Sequence, residues 1–474
     1  MKVLYASSEA FPFAMSGGLA DVAGSLPKAL RRRMVGARVV MPLYSCISDE
    51  LKAKMVFIKS ITVSVAWRRQ YCGIFEAKEN GITYYLIDNQ YYFKRDNIYG
   101  YYDDAERFAF FARAVLDIIP HIDFKPDIIH CNDWQTALTP VFLDLFYRGE
   151  EPYKNIKTVM TIHNIQYQGL YGSELLGDVL GIPDDRAGVI MYDNCVNFLK
   201  GGLQSANRIT TVSPTYAREI LDPWFSHGLD RILFDLKDKL SGILNGIDYD
   251  VYNPETDKNI AANYSAETVE LKGKNKEALQ REVGLPVRDD VPLIGIVSRL
   301  VGHKGFDLVK CVFSEFLQSD VQVVILGSGE YEFESFFHDA AQKHPKKVAL
   351  RLAFDPSLAR KIYAGADIFL MPSKSEPCGL AQMIALRYGT IPLVRKTGGL
   401  NDTIFDSGDG IGNGFTFNDY NAHDMLDALY RAVKGYSNKE GWNILVKRAM
   451  ECDNSWAKSA SEYIRLYKEI LNNG

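Results

Sequence analysis

The sequence predicts a doubly wound α/β protein built on two parallel sheets. Three observations predict it. Short runs rich in Val, Ile and Leu alternate with longer segments of helical period. The runs lack clean polar alternation, as strands covered on both faces do. A glycine or polar residue follows most of the runs at once, which is where open parallel sheets place their ligands.

In the first half, strands are expected at residues 3–7, 37–41, 83–87, 127–130, 158–162, 208–212 and 240–244. A helix is expected after Gly17-Gly18, with Leu19, Val22, Ala23, Leu26 and Leu30 on one face, and another over 105–118. Residues 245–268 break the rhythm. They hold Asn-Gly, Asn-Pro and several Asp and Asn, so a domain junction is placed there. A second αβ series is expected after Pro292, with strands at 293–297, 321–326, 348–352, 367–371 and 391–394. Residues 457–471 form an amphipathic helix, with Ile464, Leu466, Tyr467 and Ile470 apolar.

Composition narrows the function. At ~150 residues per domain, 474 residues suggest about three domains, or two larger ones. An apolar fraction of 47% with 24% charged residues excludes a disordered or collagen-like chain. A net charge of −5 gives no electrostatic reason to bind nucleic acid or an anionic membrane. No run approaches the ~18 apolar residues of a membrane span. The N-terminus reads as a strand rather than a signal peptide. Seven scattered cysteines without a Cys-x-x-Cys pair, and eight His without His-x-x-x-His spacing, read as reduced thiols in a cytoplasmic protein without a zinc site.

The strand-end residues carry the chemistry. Gly17-Gly18 opens a helix, where bare N–H groups can meet an anion or simply make a tight turn. Arg299 and Lys304, five residues apart, can neutralise a diphosphate or form a solvated basic turn. Glu376 can bind sugar hydroxyls or cap the next helix. Asp133-Trp134 offers a hydroxyl acceptor and a stacking face, unless Trp134 is core. His163 ends a Thr-Ile-His-Asn run and is either structural or catalytic. Gly327-Ser328-Gly329 lacks the third glycine of a dinucleotide fingerprint, which argues against a nicotinamide dehydrogenase. No Gly-x-Ser-x-Gly elbow supports acyl transfer.

An ordered series of motifs resembles the bacterial glycogen synthases and plant starch synthases, family 5 retaining glycosyltransferases. It begins with Ser8-Glu9-Ala10-Phe11-Pro12, Ser16-Gly17-Gly18-Leu19-Ala20-Asp21, Asn132-Asp133-Trp134 and Thr161-Ile162-His163-Asn164. It continues through Lys200-Gly201-Gly202, Leu244-Asn245-Gly246 and Ser298-Arg299-Leu300 with Lys304-Gly305. Glu376-Pro377-Cys378-Gly379-Leu380 and Thr397-Gly398-Gly399 complete it.

The resemblance implies a B-type glycosyltransferase fold, two facing Rossmann-like domains with the active site in the cleft between them. It divides the chain into an acceptor-side domain at 1–245, a nucleotide-sugar-binding domain at 246–455 and a helix at 456–474 that returns to the first domain. The implied activity is transfer of glucose from ADP-glucose to an α-1,4-glucan or malto-oligosaccharide, with retention and with neither metal nor cofactor. Residue by residue, the resemblance gives Arg299 and Lys304 to the diphosphate, with Gly18 beside it. Glu376, with Cys378, Gly379 and Leu380, goes to the donor's hydroxyls, and His163 to the glucose and its transition state. Asp133, Asn164 and Asn245 shape the donor sugar and acceptor region, Ser16, Gly17 and Asp21 belong to the first loop, and Phe354 lies where the family often has an aromatic against the nucleobase. One departure stands out: the family signature Lys-x-Gly-Gly-Leu reads Met15-Ser16-Gly17-Gly18-Leu19. This leaves an alternative, a glucan-binding or regulatory paralogue with low transferase activity.

Overall fold

The computed structural model describes residues 1–472. The chain divides into one unit of residues 1–245 with the C-terminal segment from Trp456, and a second unit, Gly246–Ser455. The last two residues of the C-terminal segment lie outside the described residues.

The strands of the first unit are β1 (Lys2–Ala6), β2 (Gly36–Pro42), β3 (Val56–Val65), β4 (Arg68–Glu79), β5 (Ile82–Asp88), β6 (Ile128–Asn132), β7 (Lys157–Ile162), β8 (Leu170–Tyr171), β9 (Met191–Tyr192), β10 (Cys195–Asn197), β11 (Arg208–Thr211) and β12 (Leu240–Gly242). Nine of them form one sheet in the order β12-β11-β7-β6-β1-β2-β5-β4-β3, and β8, β10 and β9 form a small separate one. From β12 to β5 the large sheet is parallel; β4 and β3 add to it antiparallel. The central strands β1 and β6 are almost wholly buried, as a sheet covered on both faces requires.

The hairpin of β3 and β4 departs from the sequence expectation, which held no strand between 41 and 83. Its connection is Ala66-Trp67, with Ala66 at φ 48°. A non-glycine residue occupies the left-handed turn position, so the sequence lacks the Asn-Gly or Asp-Gly signal of a hairpin. Val56 and Phe57 are exposed, which also blurs the apolar pattern.

The helix Trp456–Asn472 belongs to the first unit, where Tyr467 and Tyr463 pack against His130 of β6. The Tyr467 hydroxyl lies 2.6 Å from His130 Nδ1, and His130 Nε2 lies 2.6 Å from Thr161 Oγ1 on β7. Burial pulls the His130 pKa down to about 3, so the ring stays neutral within this chain of hydrogen bonds.

The second unit holds β13 (Leu293–Val297), β14 (Gln322–Leu326), β15 (Val348–Arg351), β16 (Ile368–Met371), β17 (Ile391–Arg395) and β18 (Phe415–Phe417). They form an all-parallel sheet in the order β15-β14-β13-β16-β17-β18, the 3-2-1-4-5-6 order of dinucleotide-binding sheets. The series begins earlier than expected. The helix Lys272–Val283 precedes Pro292 and already packs into this unit, where Leu279 and Val283 share a buried cluster with Leu293, Val324 and Ile362. Its many lysines concealed it, because two of them are buried. Lys272 Nζ donates to Ala364 O at 2.6 Å and to Thr390 Oγ1 at 2.8 Å. Lys276 Nζ lies 2.7 Å from Asp367 Oδ2 and donates to Val291 O and the Tyr436 hydroxyl, each at 2.6 Å.

The Lys276–Asp367 pair makes a testable site. Lys276→Met leaves Asp367 buried with the Leu293 N–H and the Tyr436 hydroxyl but without its ion-pair partner. Stability in urea denaturation is expected to fall by about 3–5 kcal/mol; an unchanged midpoint would contradict this account of the helix.

Candidate active site

Ligands bind parallel sheets where the strand order reverses. In the second unit that point lies between β13 and β16, and in the first between β1 and β6. The residues just past these strands are the candidates of the sequence analysis.

In the second unit, Lys304 ends a short turn, Gly302–Lys304, ahead of the helix Phe306–Phe316. Gly305 between them has φ 81°, and a Cβ there would lie 2.0 Å from Pro372 O. Only glycine lets the backbone come this close to the loop after β16. Lys304 Nζ then donates to Glu376 Oε2 at 2.7 Å, and Ser373 Oγ donates to the same oxygen at 2.9 Å. Both donors fall on Oε2, which leaves Oε1 for a ligand hydroxyl. Glu376 is not the cap of the following helix: Leu380 precedes Ala381–Arg387, with no side-chain cap.

Cys378, Gly379 and Leu380 make the turn into that helix, with Gly379 at φ 71°. The Thr397-Gly398-Gly399 loop lies directly against them: the Gly399 N–H donates to Glu376 O at 3.1 Å, and a Cβ on Gly398 would lie 2.0 Å from that oxygen. Arg299 is exposed on the loop after β13. Gly327-Ser328-Gly329 braces this loop, since the Leu300 N–H donates to Ser328 O at 2.9 Å and the Glu330 N–H to Leu300 O at 2.7 Å. Phe354 is 83% exposed, just before Asp355, which caps the helix Pro356–Gly365. Among the described residues, no hydrogen bond or ion pair joins Arg299 or Phe354 to the Lys304–Glu376 pair.

In the first unit, Glu9 organises the loop before the helix Gly18–Arg32. Its carboxylate accepts the Ser16 N–H, the Ser16 hydroxyl at 3.1 Å, and the Gly17 N–H. Burial raises the Glu9 pKa, opposed by these donors. A Cβ at Gly17 or Gly18 would meet nothing within 4 Å, and neither has a positive φ. The fold itself does not demand glycine there; glycine leaves bare backbone at the positive end of a 15-residue helix. Asp21, half-buried one turn into the helix, is pushed up to about 6 by burial.

Asp133 has φ 54°, and its carboxylate meets the backbone just past the end of β7. Its Oδ1 accepts the His163 N–H at 2.7 Å, and its carboxylate also accepts the Asn164 N–H. Burial nevertheless pushes the Asp133 pKa up to about 7. His163 Nε2 lies 2.8 Å from Asn132 Oδ1, and burial pulls the ring down to about 3, so it is neutral. Asn164 Oδ1 accepts the Gln166 N–H at 3.0 Å within its own loop. Asn245 Oδ1 is buried without a hydrogen-bond partner among the described residues. Trp134 is core, edge-on to Phe108 at 5.1 Å and near Phe198 and Tyr171.

The structure thus joins Ser16 and Gly17 through Glu9, His163 and Asn164 through Asp133, and Lys304 to Glu376. Glu9, Asn132 and Ser373 were not singled out as site residues in the sequence. Each follows or ends a strand, and only its contacts in the structure set it apart from other strand-end polar residues.

Parallel sheets with polar loops at their switch points, one in each unit, are the architecture of B-type glycosyltransferases, and the comparisons give the chain that class. Residues 2–235 match the starch synthase catalytic domain family and residues 279–444 the glycosyl transferases group 1 family. The chain is 51% identical to a glycogen synthase of Bacillus anthracis, over 99% of this chain and 100% of that one. It is 52% identical to a glycogen synthase of Geobacillus thermodenitrificans, over 99% and 98%. Among solved structures, it resembles the catalytic domain of starch synthase IV from Arabidopsis thaliana bound to ADP and acarbose, with a TM-score of 0.92 and 35% identity over 99% of each chain. The chain belongs to the glycogen and starch synthase family of B-type glycosyltransferases.

Asp133 gives a pH test. A carboxyl whose pKa is higher folded than unfolded takes up a proton on folding, so its contribution to stability falls as pH rises from ~3.9 towards about 7. Asp133→Asn keeps an oxygen for the His163 N–H but removes this titration. Relative to the native chain, its thermal midpoint is expected to be higher at pH 8 than at pH 5. A pH-independent difference would contradict the burial of an ionisable Asp133.

Proposed function

We infer that this chain is a glycogen synthase, which transfers glucose from ADP-glucose to the non-reducing end of an α-1,4-glucan with retention of configuration. The observation that carries the reading is 51–52% identity along almost the whole chain to bacterial glycogen synthases. The neighbour solved with ADP and acarbose supports a nucleotide-diphosphate leaving group and a glucan-like acceptor. Nothing in these comparisons supports the paralogue alternative. No helix among the described residues is long and apolar enough to cross a membrane. Cys46, Cys72, Cys131, Cys195, Cys311 and Cys452 form no disulfide. Both facts suit work in the cytoplasm.

The residues divide the chemistry. Arg299 and Lys304 hold the diphosphate and neutralise the charge that develops on it as the sugar leaves. The bare N–H groups of Gly17 and Gly18 add backbone donors beside it. Glu376 keeps Lys304 in place through Oε2 and takes donor hydroxyls through Oε1, with the Cys378–Leu380 turn beside them. His163 touches the glucosyl group, while Asp133, Asn164 and Asn245 shape its surroundings and the acceptor's. Ser16 and Asp21 belong to the first loop, and Phe354 meets the nucleobase. Transfer breaks the bond between the anomeric carbon and the phosphate oxygen. It forms a bond from the acceptor hydroxyl oxygen on the same face, and the hydroxyl proton passes to the departing phosphate. Residues 246–455 bind the nucleotide-sugar, and 1–245 serve the acceptor.

The deciding experiment is transfer of labelled glucose to a malto-oligosaccharide, with ADP-glucose and UDP-glucose in parallel, for the native chain and Met15→Lys. Turnover of ADP-glucose by the native chain is expected. The added lysine is expected to improve donor kcat/KM by roughly 10–150-fold, the worth of one charge-assisted contact. Absence of transfer from either donor by both chains would overturn the reading.

A further inference from the structure

We propose that Asn132 is a positioning residue that sets the tautomer of His163: it holds the ring proton on Nε2 and so presents Nδ1 as a hydrogen-bond acceptor to one hydroxyl of the donor's glucosyl group. The inference rests on the reading of His163 as a contact to that sugar; its tautomer half does not.

The assignment comes from which atoms can donate. Asn132 is the last residue of β6, wholly buried and paired in register with Thr161 of β7, so its side chain lies beside the end of β7 and His163. One end of its amide faces two backbone carbonyls, Ala6 O at 3.0 Å and His130 O at 3.3 Å. A carbonyl only accepts, so that end is the NH2 group, and both of its hydrogens are engaged. The other end is therefore the amide oxygen, which has no hydrogen to give. It lies 2.8 Å from the Tyr5 hydroxyl and 2.8 Å from His163 Nε2. Both neighbours must donate to it. Burial keeps the Tyr5 hydroxyl protonated, and His163 must carry its proton on Nε2.

The ring is neutral, because burial pulls it down to about 3. A neutral imidazole with its proton on Nε2 has a lone pair on Nδ1. Nδ1 has no hydrogen-bond partner among the described residues. The Asp133 carboxylate fixes the backbone N–H of His163 on the other side, so the ring is held at both its base and its tip. Such a nitrogen cannot donate to the anionic diphosphate. It reads an O–H hydrogen, and a sugar hydroxyl supplies one. His163 is thereby a discriminator for the presence of a hydroxyl, and Asn132 is what makes it one.

The test has two arms on the full-length protein. The first needs no donor. With ring-15N histidine and His163→Gln to assign its signal, imidazole NMR at pH 7 is expected to show protonated Nε2 and unprotonated Nδ1. A proton on Nδ1, or a doubly protonated ring, overturns the proposal. Tyr5→Phe leaves the amide orientation to Ala6 and must keep this signature, whereas Asn132→Leu must let the ring relax to a mixture in which the Nδ1–H tautomer is also seen; a pure Nε2–H signal in that variant overturns the role of Asn132. Should Asn132→Leu fail to fold, Asn132→Asp keeps an acceptor toward Nε2 and must retain the Nε2 proton; loss of it overturns the assignment.

The second arm measures kcat/KM for ADP-glucose and for donors lacking one glucosyl hydroxyl each. The native enzyme is expected to lose about 10–100-fold with one particular deoxy donor. Asn132→Leu should shrink that ratio to ~3-fold or less, because the parent donor slows and the deoxy donor does not. Equal slowing of both, with the ratio kept, would assign Asn132 a merely structural role and overturn the proposal. A native enzyme that uses no nucleotide-sugar would overturn the functional reading and the hydroxyl half together, while the tautomer is decided separately in the first arm.

Discussion

A parallel strand ends by releasing backbone N–H groups into a loop, and a loop that is half buried must find acceptors for them. In the first unit the acceptors are carboxylates. Glu9 takes the N–H groups of Ser16 and Gly17, and Asp133 takes those of His163 and Asn164. The other candidate residues of this unit depend on these two interactions. They fix the start of the helix Gly18–Arg32 and the base of His163 without lending any cation to the place. The cost is electrostatic: both carboxyl groups sit in poorly solvated positions, and their pKa values rise despite the donors around them.

The second unit uses carboxylates in its loops as well, with Glu330 accepting the Gly302 N–H and Glu334 the Gly329 N–H. It adds close backbone contacts that bare glycines permit, at Gly305 against Pro372 and at Gly398 against Glu376. The Glu376 carboxylate, after β16, steadies a lysine instead. The candidate residues of the second unit thus include a lysine paired with a carboxylate, whereas those of the first unit include bare glycines, a neutral histidine and two carboxyl groups. The proposed donor, a nucleotide-sugar, carries charge on its diphosphate and hydroxyls on its glucose, and the two sets of residues suit those two parts in turn.

Much of this was legible in the sequence because parallel strands buried on both faces leave plain apolar runs, and the polar residues at their ends stand out. The strands from Lys2–Ala6 to Ile391–Arg395 that line the two reversals lie within a residue or two of their expected places. The elements that escaped had specific reasons. The hairpin of β3 and β4 has an alanine where glycine or asparagine would announce the turn. The helix Lys272–Val283 looks solvated because its inward residues include lysines, whose burial depends on Asp367, Thr390 and Tyr436, distant in sequence. Glu9, Asn132 and Ser373 hold the neighbours Ser16, His163 and Glu376. Nothing in a lone sequence separates them from ordinary strand-end polar residues, since their meaning lies in which atom each one faces.

The same distinction explains how methionine is tolerated at position 15. The shape of the loop is fixed by Glu9 acting on the backbone of Ser16 and Gly17 and on the Ser16 hydroxyl, not on the side chain of residue 15. Met15 is 46% exposed. Exchanging a lysine for a methionine there removes a charge but leaves the helix start, its bare N–H groups and its dipole in place. Under the proposed function the change acts on the electrostatics of donor binding and not on folding. That fits a chain that is 51% identical to a glycogen synthase over 99% of its length. A position whose side chain carries no structural duty can alter donor affinity without disturbing the machinery that Glu9, Asp133 and Glu376 hold in place.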